Sequence, residues 1–240
     1  QTHSIVGFEA LVRWHHPELG FVSPAQFIPV AEESKLIIPL GEWILKKACM
    51  QMVEWREENL FDGRMAVNVS GVQLDDSNFQ TMVQTILEQT RLNAAYLELE
   101  LTESSLMSNP EKWIEDLDAL DALGIRLAID DFGTGYASYA RLKNVSADIL
   151  KIDGSFIRSI VSNSLDYQIV ASICHLARMK RMLVVAEYVE SEEIRSAVIS
   201  LGIDYMQGYL IGKPQPLHET LEEQAPDALA PVLSLCGDIG

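Results

Sequence analysis

Arg126-Leu127-Ala128-Ile129-Asp130-Asp131-Phe132-Gly133-Thr134-Gly135 is the stretch on which the fold turns. Arg126–Ile129 is a short apolar run suited to a strand, and it stops on two adjacent carboxylates followed by a glycine-bearing loop. One charged strand end is unremarkable, because strands end in water. Here the ending recurs. Asn68 stands in Met65–Val69, Glu100 in Tyr96–Leu101, Lys151 in Ile149–Ile152, Glu187 just past Met182–Ala186 and Gln207 just past Ile203–Met206. Glu9 lies inside a further run, Ile5–Trp14, where alternation places Glu9, Leu11 and Arg13 on one face.

Between these runs, apolar residues recur at three- and four-residue steps, which predicts helices over Leu40–Glu57, Asn78–Gln89, Pro110–Leu123, Leu165–Lys180 and Ser191–Leu201. Asn109-Pro110 reads as a helix start, and Gly124 and Gly202 as helix stops. Strands alternating with helices imply a parallel sheet with helical cover. Seven runs are one short of a closed (β/α)8 barrel, so alternation alone also permits an open doubly wound sheet. The polar endings favour the barrel, whose strand ends converge on one rim. No linker or repeat divides the chain. The expectation is one domain over residues 1–216, with 217–240 a tail or short helix of the same domain.

The chain has 240 residues, with 18 Lys+Arg against 35 Asp+Glu and a net charge of −17. That acidity argues against binding polymeric nucleic acid or an anionic membrane surface through cationic side chains. A hydrophobic content of 48% with 22% charged residues excludes a disordered chain. No apolar run is long enough to span a bilayer, and no targeting segment is visible at the start. With no initiator Met, the chain reads as a piece of something longer. Cys49, Cys174 and Cys236 are odd in number and widely spaced, which fits a reducing cytoplasm and no disulfide framework.

On one rim, Glu9, Glu100, Asp130, Asp131 and Glu187 would bring five negative charges together, a number that protonates in part or recruits cations. The donors are all oxygen, with Asn68 adding a carbonyl, and oxygen donors favour Mg²⁺ or Mn²⁺. Two such ions, with Lys151 and Arg13, would make the site net positive and fit for a phosphate ester. Paired metals are a recurring device for phosphodiester hydrolysis. Asp131-Phe132-Gly133 resembles the kinase magnesium motif, but no other kinase segment accompanies it, and no phosphate-binding P-loop is present. Its other readings are an ordinary flexible loop, or a mobile one that carries Asp131 into the site. The histidines read as turn and helix residues rather than ligands.

Glu9-Ala10-Leu11-Val12-Arg13-Trp14, Val67-Asn68-Val69-Ser70, Glu98-Leu99-Glu100-Leu101-Thr102-Glu103, Asp130-Asp131-Phe132-Gly133-Thr134-Gly135, Lys151-Ile152-Asp153, Ala186-Glu187 and Gln207-Gly208-Tyr209 together resemble the EAL domain family. The resemblance implies a modified TIM (β/α)8 barrel whose first, antiparallel strand is missing from this chain. It also implies two-metal hydrolysis of cyclic di-GMP to linear pGpG in bacterial second-messenger signalling. On the matching positions, Glu9, Asn68, Glu100 and Asp130 would hold one Mg²⁺ or Mn²⁺, and Asp130, Asp131 and Glu187 the other. Lys151, Glu187, Asp131 and Glu9 would be catalytic. Arg13, Leu11, Asp153 and Gln207 would meet the substrate, and Glu103, Glu190 and Thr102 would support the site.

The family pattern further implies a homodimer, with a sensory or GGDEF domain upstream in a parent protein that is itself free to be membrane-attached. Besides the missing first strand, two departures stand out: Tyr188 where the family has Gly, and Ala137 and Tyr139 where Ser and Leu are commoner. The competing expectation is a catalytically silent cyclic di-GMP receptor. It is disfavoured because every metal-ligand position is filled.

Overall fold

The structure, a computed structural model, describes residues 4–108, 110–134, 145–216 and 233–236. Each of the seven expected runs is a strand: β1 (Gly7–His16), β3 (Arg64–Val69), β4 (Leu97–Thr102), β5 (Arg126–Phe132), β6 (Ile149–Ile152), β7 (Leu183–Ala186) and β8 (Tyr205–Met206). Three short strands join them: β2 (Gly20–Val22), β9 (Gln215–Pro216) and β10 (Leu233–Cys236). The sheet runs β8-β7-β6-β5-β4-β3-β1-β10-β9, with β2 folded back on β1 as a hairpin. Every other pairing is parallel. Among the described residues β8 and β9 are not paired to each other, so the curled sheet is a barrel open at one seam.

The helices form because each offers one apolar stripe to that sheet. They are α1 (Pro24–Glu33), α2 (Ile37–Glu57), α3 (Gly71–Leu74), α4 (Phe79–Thr90), α5 (Glu103–Ser108), α6 (Pro110–Ala122), α7 (Gly154–Ser159), α8 (Ser164–Lys180) and α9 (Glu192–Ser200). On α4 the stripe is Phe79, Val83, Ile86 and Leu87; on α8 it is Val170, Ile173, Cys174 and Ala177. Ser70, Asn163 and Ser191 cap α3, α8 and α9 by accepting backbone N–H bonds that the first turn leaves unpaired. Gly124 and Gly202, past the ends of α6 and α9, have φ of +89° and +68°, the left-handed conformation that stops a helix.

The parallel barrel reading holds over the open doubly wound sheet. Segment 217–240, expected as a tail or short helix, contributes β10 beside β1. Asn109, Gly135, Ala137, Tyr139 and residues 217–232 lie outside the described residues.

Candidate active site

Register and pleat build the site. Asn68 on β3 is level with Glu100 on β4, and Thr102 on β4 with Asp130 on β5. Two residues back along these strands lie Ala66 and Ala128, which alternation puts on the same face. Their small side chains leave room for Lys151 from β6 to extend among the carboxylates. Lys151 is 2% exposed. Its Nζ donates to Glu100 Oε2 at 2.8 Å and lies 3.0 Å from Glu187 Oε1, 3.2 Å from Asp130 Oδ1 and 3.9 Å from Glu9 Oε2.

Consecutive strand residues ordinarily point to opposite faces, yet Asp130 and Asp131 serve one cluster. The register between β5 and β6 shifts between Ile129 and Phe132, and Asp131 has φ of +54°. An irregularity of this kind re-aims a side chain. As a result, oxygens of Asp130, Asp131 and Glu187 all come within 4.8 Å of one another. Asp131 therefore reaches the cluster from within β5, and no loop need carry it there. Glu103, fully buried, accepts the Gly133 N–H at 2.7 Å and so fastens the chain just beyond Asp131.

Glu187 is presented by a second left-handed residue, Tyr188, with φ of +52°. Backbone bonds from Glu187 N to Ile152 O, Val189 N to Gln207 O and Gln207 N to Ala186 O fix this segment against its neighbours. Gly208 is required there: a Cβ on it would overlap the Val189 backbone.

Burial is the largest single influence on each of these groups, but it does not set every direction. It pushes Glu187 up to about 7 and Asp131 upward, the latter helped by the adjacent Asp130. Burial, with repulsion from Glu9 and Asp130, holds Glu100 well above the usual carboxylate range. Burial would raise Glu9 as well, but Lys151 together with Gln207 and Asn68 outweighs it and keeps Glu9 low. Burial opposes the Lys151 charge, yet the surrounding carboxylates prevail and hold its pKa well above the ordinary lysine value. The carboxylates around Lys151 thus favour its charged form.

Glu9 accepts from Asn68 Nδ2 at 2.5 Å and from Gln207 Nε2 at 2.7 Å. Glu9, Leu11, Arg13, Asp153, Glu190 and Gln207 line one cleft of about 350 Å³ with Asp130, Asp131 and Glu187. Among the described residues the Arg13 guanidinium donates only to the Val12 carbonyl. Asp153 caps α7 through Ser155 N at 2.9 Å, and Thr102 Oγ1 accepts from Ser105 N at the start of α5. The donor set fits a hard divalent cation, since three carboxylates converge and, among the described residues, no sulfur or imidazole joins them. Asn68, by contrast, offers its amide nitrogen to Glu9.

Three residues were not read from the sequence as part of the site: Glu98 and Tyr209 stood only within motifs, and Tyr188 only as a departure from the family pattern. Glu98, buried near Lys151, is pushed up to about 7 by burial, and its period-two spacing from Glu100 was the available signal. Tyr188 and Tyr209 also line the cleft, 44% and 60% exposed.

A parallel barrel with carboxylates, one buried lysine and one arginine gathered at the carboxyl ends of its strands defines a (β/α)-barrel protein with a cation-ready rim. The chain belongs to the EAL domain family, whose model matches residues 1–214. It is 55% identical over 218 residues to the cyclic di-GMP phosphodiesterase PdeF of Escherichia coli, covering 91% of this chain and 29% of PdeF. It is 39% identical over 221 residues to the bifunctional diguanylate cyclase/cyclic di-GMP phosphodiesterase MucR of Pseudomonas aeruginosa, covering 92% of this chain and 32% of MucR. The chain thus spans under a third of these relatives. A structure described as the PaMucR phosphodiesterase in complex with c-di-GMP superposes with a TM-score of 0.82 at 40% identity, covering 86% of this chain and 84% of that one.

Proposed function

We propose that this chain is the phosphodiesterase module of a longer signalling protein and hydrolyses cyclic di-GMP to linear pGpG. The observation that carries the reading is the Asp130–Asp131–Glu187 carboxylate cluster packed beside charged Lys151 in an open cleft. Family membership and the names of the relatives support the substrate.

Asp130, Asp131 and Glu187 would hold one Mg²⁺ or Mn²⁺, and Glu9, Asn68, Glu100 and Asp130 a second. When bound, such ions supply Lewis-acid charge to the phosphodiester and to its attacking water. The chain's own residues do the rest. Arg13 offers its guanidinium to the phosphate, geometry that suits bidentate pairing. Lys151, as the ammonium, would balance negative charge that develops on the phosphoryl oxygens, and it fixes the carboxylates around it. Gln207 and Asn68 hold Glu9 in its ionised form. Glu103 keeps the Asp131 backbone in place through Gly133, while Thr102 and Asp153 brace the adjoining helix starts.

A sensory or GGDEF domain upstream, a homodimer and a cytoplasmic location belong to the same reading. No helix among the described residues is long and apolar enough to cross a membrane. The test is turnover of cyclic di-GMP with and without divalent metal. Binding without turnover would instead make the chain a receptor.

A further inference from the structure

Tyr188 combines three features that the chemistry above does not use. First, it is a non-glycine residue in the left-handed region, φ +52°, immediately after the ligand candidate Glu187. Such a conformation is unfavourable for a residue with a bulky side chain and persists only where the surroundings enforce it. Second, its ring has a prepared seat. Gly154 and Arg158 stand four residues apart on α7 and therefore share one face of that helix. A Cβ on Gly154 would overlap the Tyr188 ring, and the Arg158 guanidinium carbon lies 3.9 Å from the ring centroid. Third, the ring so held is not buried. Tyr188 is 44% exposed and lines the same cleft as Glu9, Arg13, Asp131 and Glu187.

A strained backbone, a side-chain-free seat and a stacked cation hold the ring, while the residue remains part of the cleft lining and is not buried. This differs from the aromatic rings of the core: Phe8, packed on Trp55 and Phe61, is 2% exposed. An aromatic ring held rigidly beside a phosphate-ester site is suited to stacking a flat heterocycle, at little cost in side-chain ordering. We propose that Tyr188 is a base-stacking residue, its ring receiving a purine of the nucleotide whose phosphodiester lies at the Asp130–Asp131–Glu187 cluster. Arg158 acts through Tyr188, as the positioning residue that holds the ring. The inference rests on the cyclic di-GMP reading and adds to it a contact that selects for the base.

The test compares wild type, Tyr188→Phe and Tyr188→Gly in initial-rate kinetics with cyclic di-GMP and Mg²⁺. Glycine accepts the left-handed conformation, so Tyr188→Gly removes the ring without adding backbone strain. Loss of one base stack is expected to raise KM by about tenfold or more, the effect falling mainly on KM rather than kcat. Tyr188→Phe keeps the ring and should stay within about twofold of the wild-type KM if stacking is what matters. Upfield shifts of the guanine H8 resonances on binding should appear with wild type and Tyr188→Phe and shrink with Tyr188→Gly.

Equal KM for wild type and Tyr188→Gly overturns the inference while leaving the phosphodiesterase reading intact. So does an equal rise for Phe and Gly, which would assign the effect to the hydroxyl. If the wild type binds without turnover, the same comparison is read from Kd. A wild-type chain that neither binds nor turns over the nucleotide defeats the functional reading and this inference together.

Discussion

Lys151 Nζ lies 2.8 Å from Glu100 Oε2, with the two side chains 2% and 3% exposed. They come from strands that are not neighbours, since β5 runs between β4 and β6. Their meeting depends on small Ala128 at the intervening inner position. Four carboxylates lie within 4 Å of this one ammonium, and this explains why a cluster so acidic persists within the fold.

Removing that ammonium should be costly. Lys151→Met leaves Glu9, Glu100, Asp130 and Glu187 without their cation, and a loss of about 3–5 kcal/mol of stability in EDTA is expected. Mg²⁺ should restore part of it by taking over the neutralising charge. Thermal melts in EDTA and in Mg²⁺ check this, and an unchanged Tm in EDTA would count against the arrangement.

The carboxylates themselves are expected to matter for rate rather than folding. Asp130→Asn or Glu9→Gln should lower turnover of cyclic di-GMP by about 10²–10³-fold or more. Circular dichroism should show the fold retained, because each change relieves charge repulsion. Turnover within a few-fold of wild type would remove that residue from the proposed machinery.

Gly154→Ala tests the seat of Tyr188. The added methyl overlaps the ring, so the ring or α7 must move, at a cost of about 1–3 kcal/mol. Urea denaturation measures it. An unaltered midpoint would show that the ring does not rest on Gly154.

The buried thiols give a pH prediction. Burial pushes Cys49 up to about 12 and Cys174 up to about 11, from an ordinary value of 9.0. The unfolded chain loses these protons first, so the stability they contribute is complete below pH 9.0 and is lost as pH rises towards 11–12. Iodoacetamide at pH 8 should label neither in the native protein and both after unfolding. Rapid native labelling of Cys49 or Cys174 would contradict their burial.

Much of this was legible because polar residues interrupted apolar runs in a repeating way. Lys151 inside Ile149–Ile152 and Glu100 inside Tyr96–Leu101 have no reason to stand there unless the strand interior faces a polar site. Other features depended on contacts that no local pattern carries. Helix α1 was obscured by Pro24 and Pro29, and β2, β9 and β10 are too short to show alternation. The left-handed backbone at Asp131 and Tyr188 is imposed by neighbouring segments. Asp131 followed by Gly133 looked like a loop, whereas the chain extends as strand through Phe132. The seat formed by Gly154 and Arg158 exists only once α7 packs beside the β7–α9 segment.

What matters most is whether the cluster around Lys151 works as a metal-assisted phosphodiesterase site. Chromatography of cyclic di-GMP incubated with this chain in Mg²⁺, Mn²⁺ or EDTA tests it most directly. Linear pGpG is expected with either metal and none in EDTA. Intact cyclic di-GMP in all three, from protein shown to be folded, would contradict it.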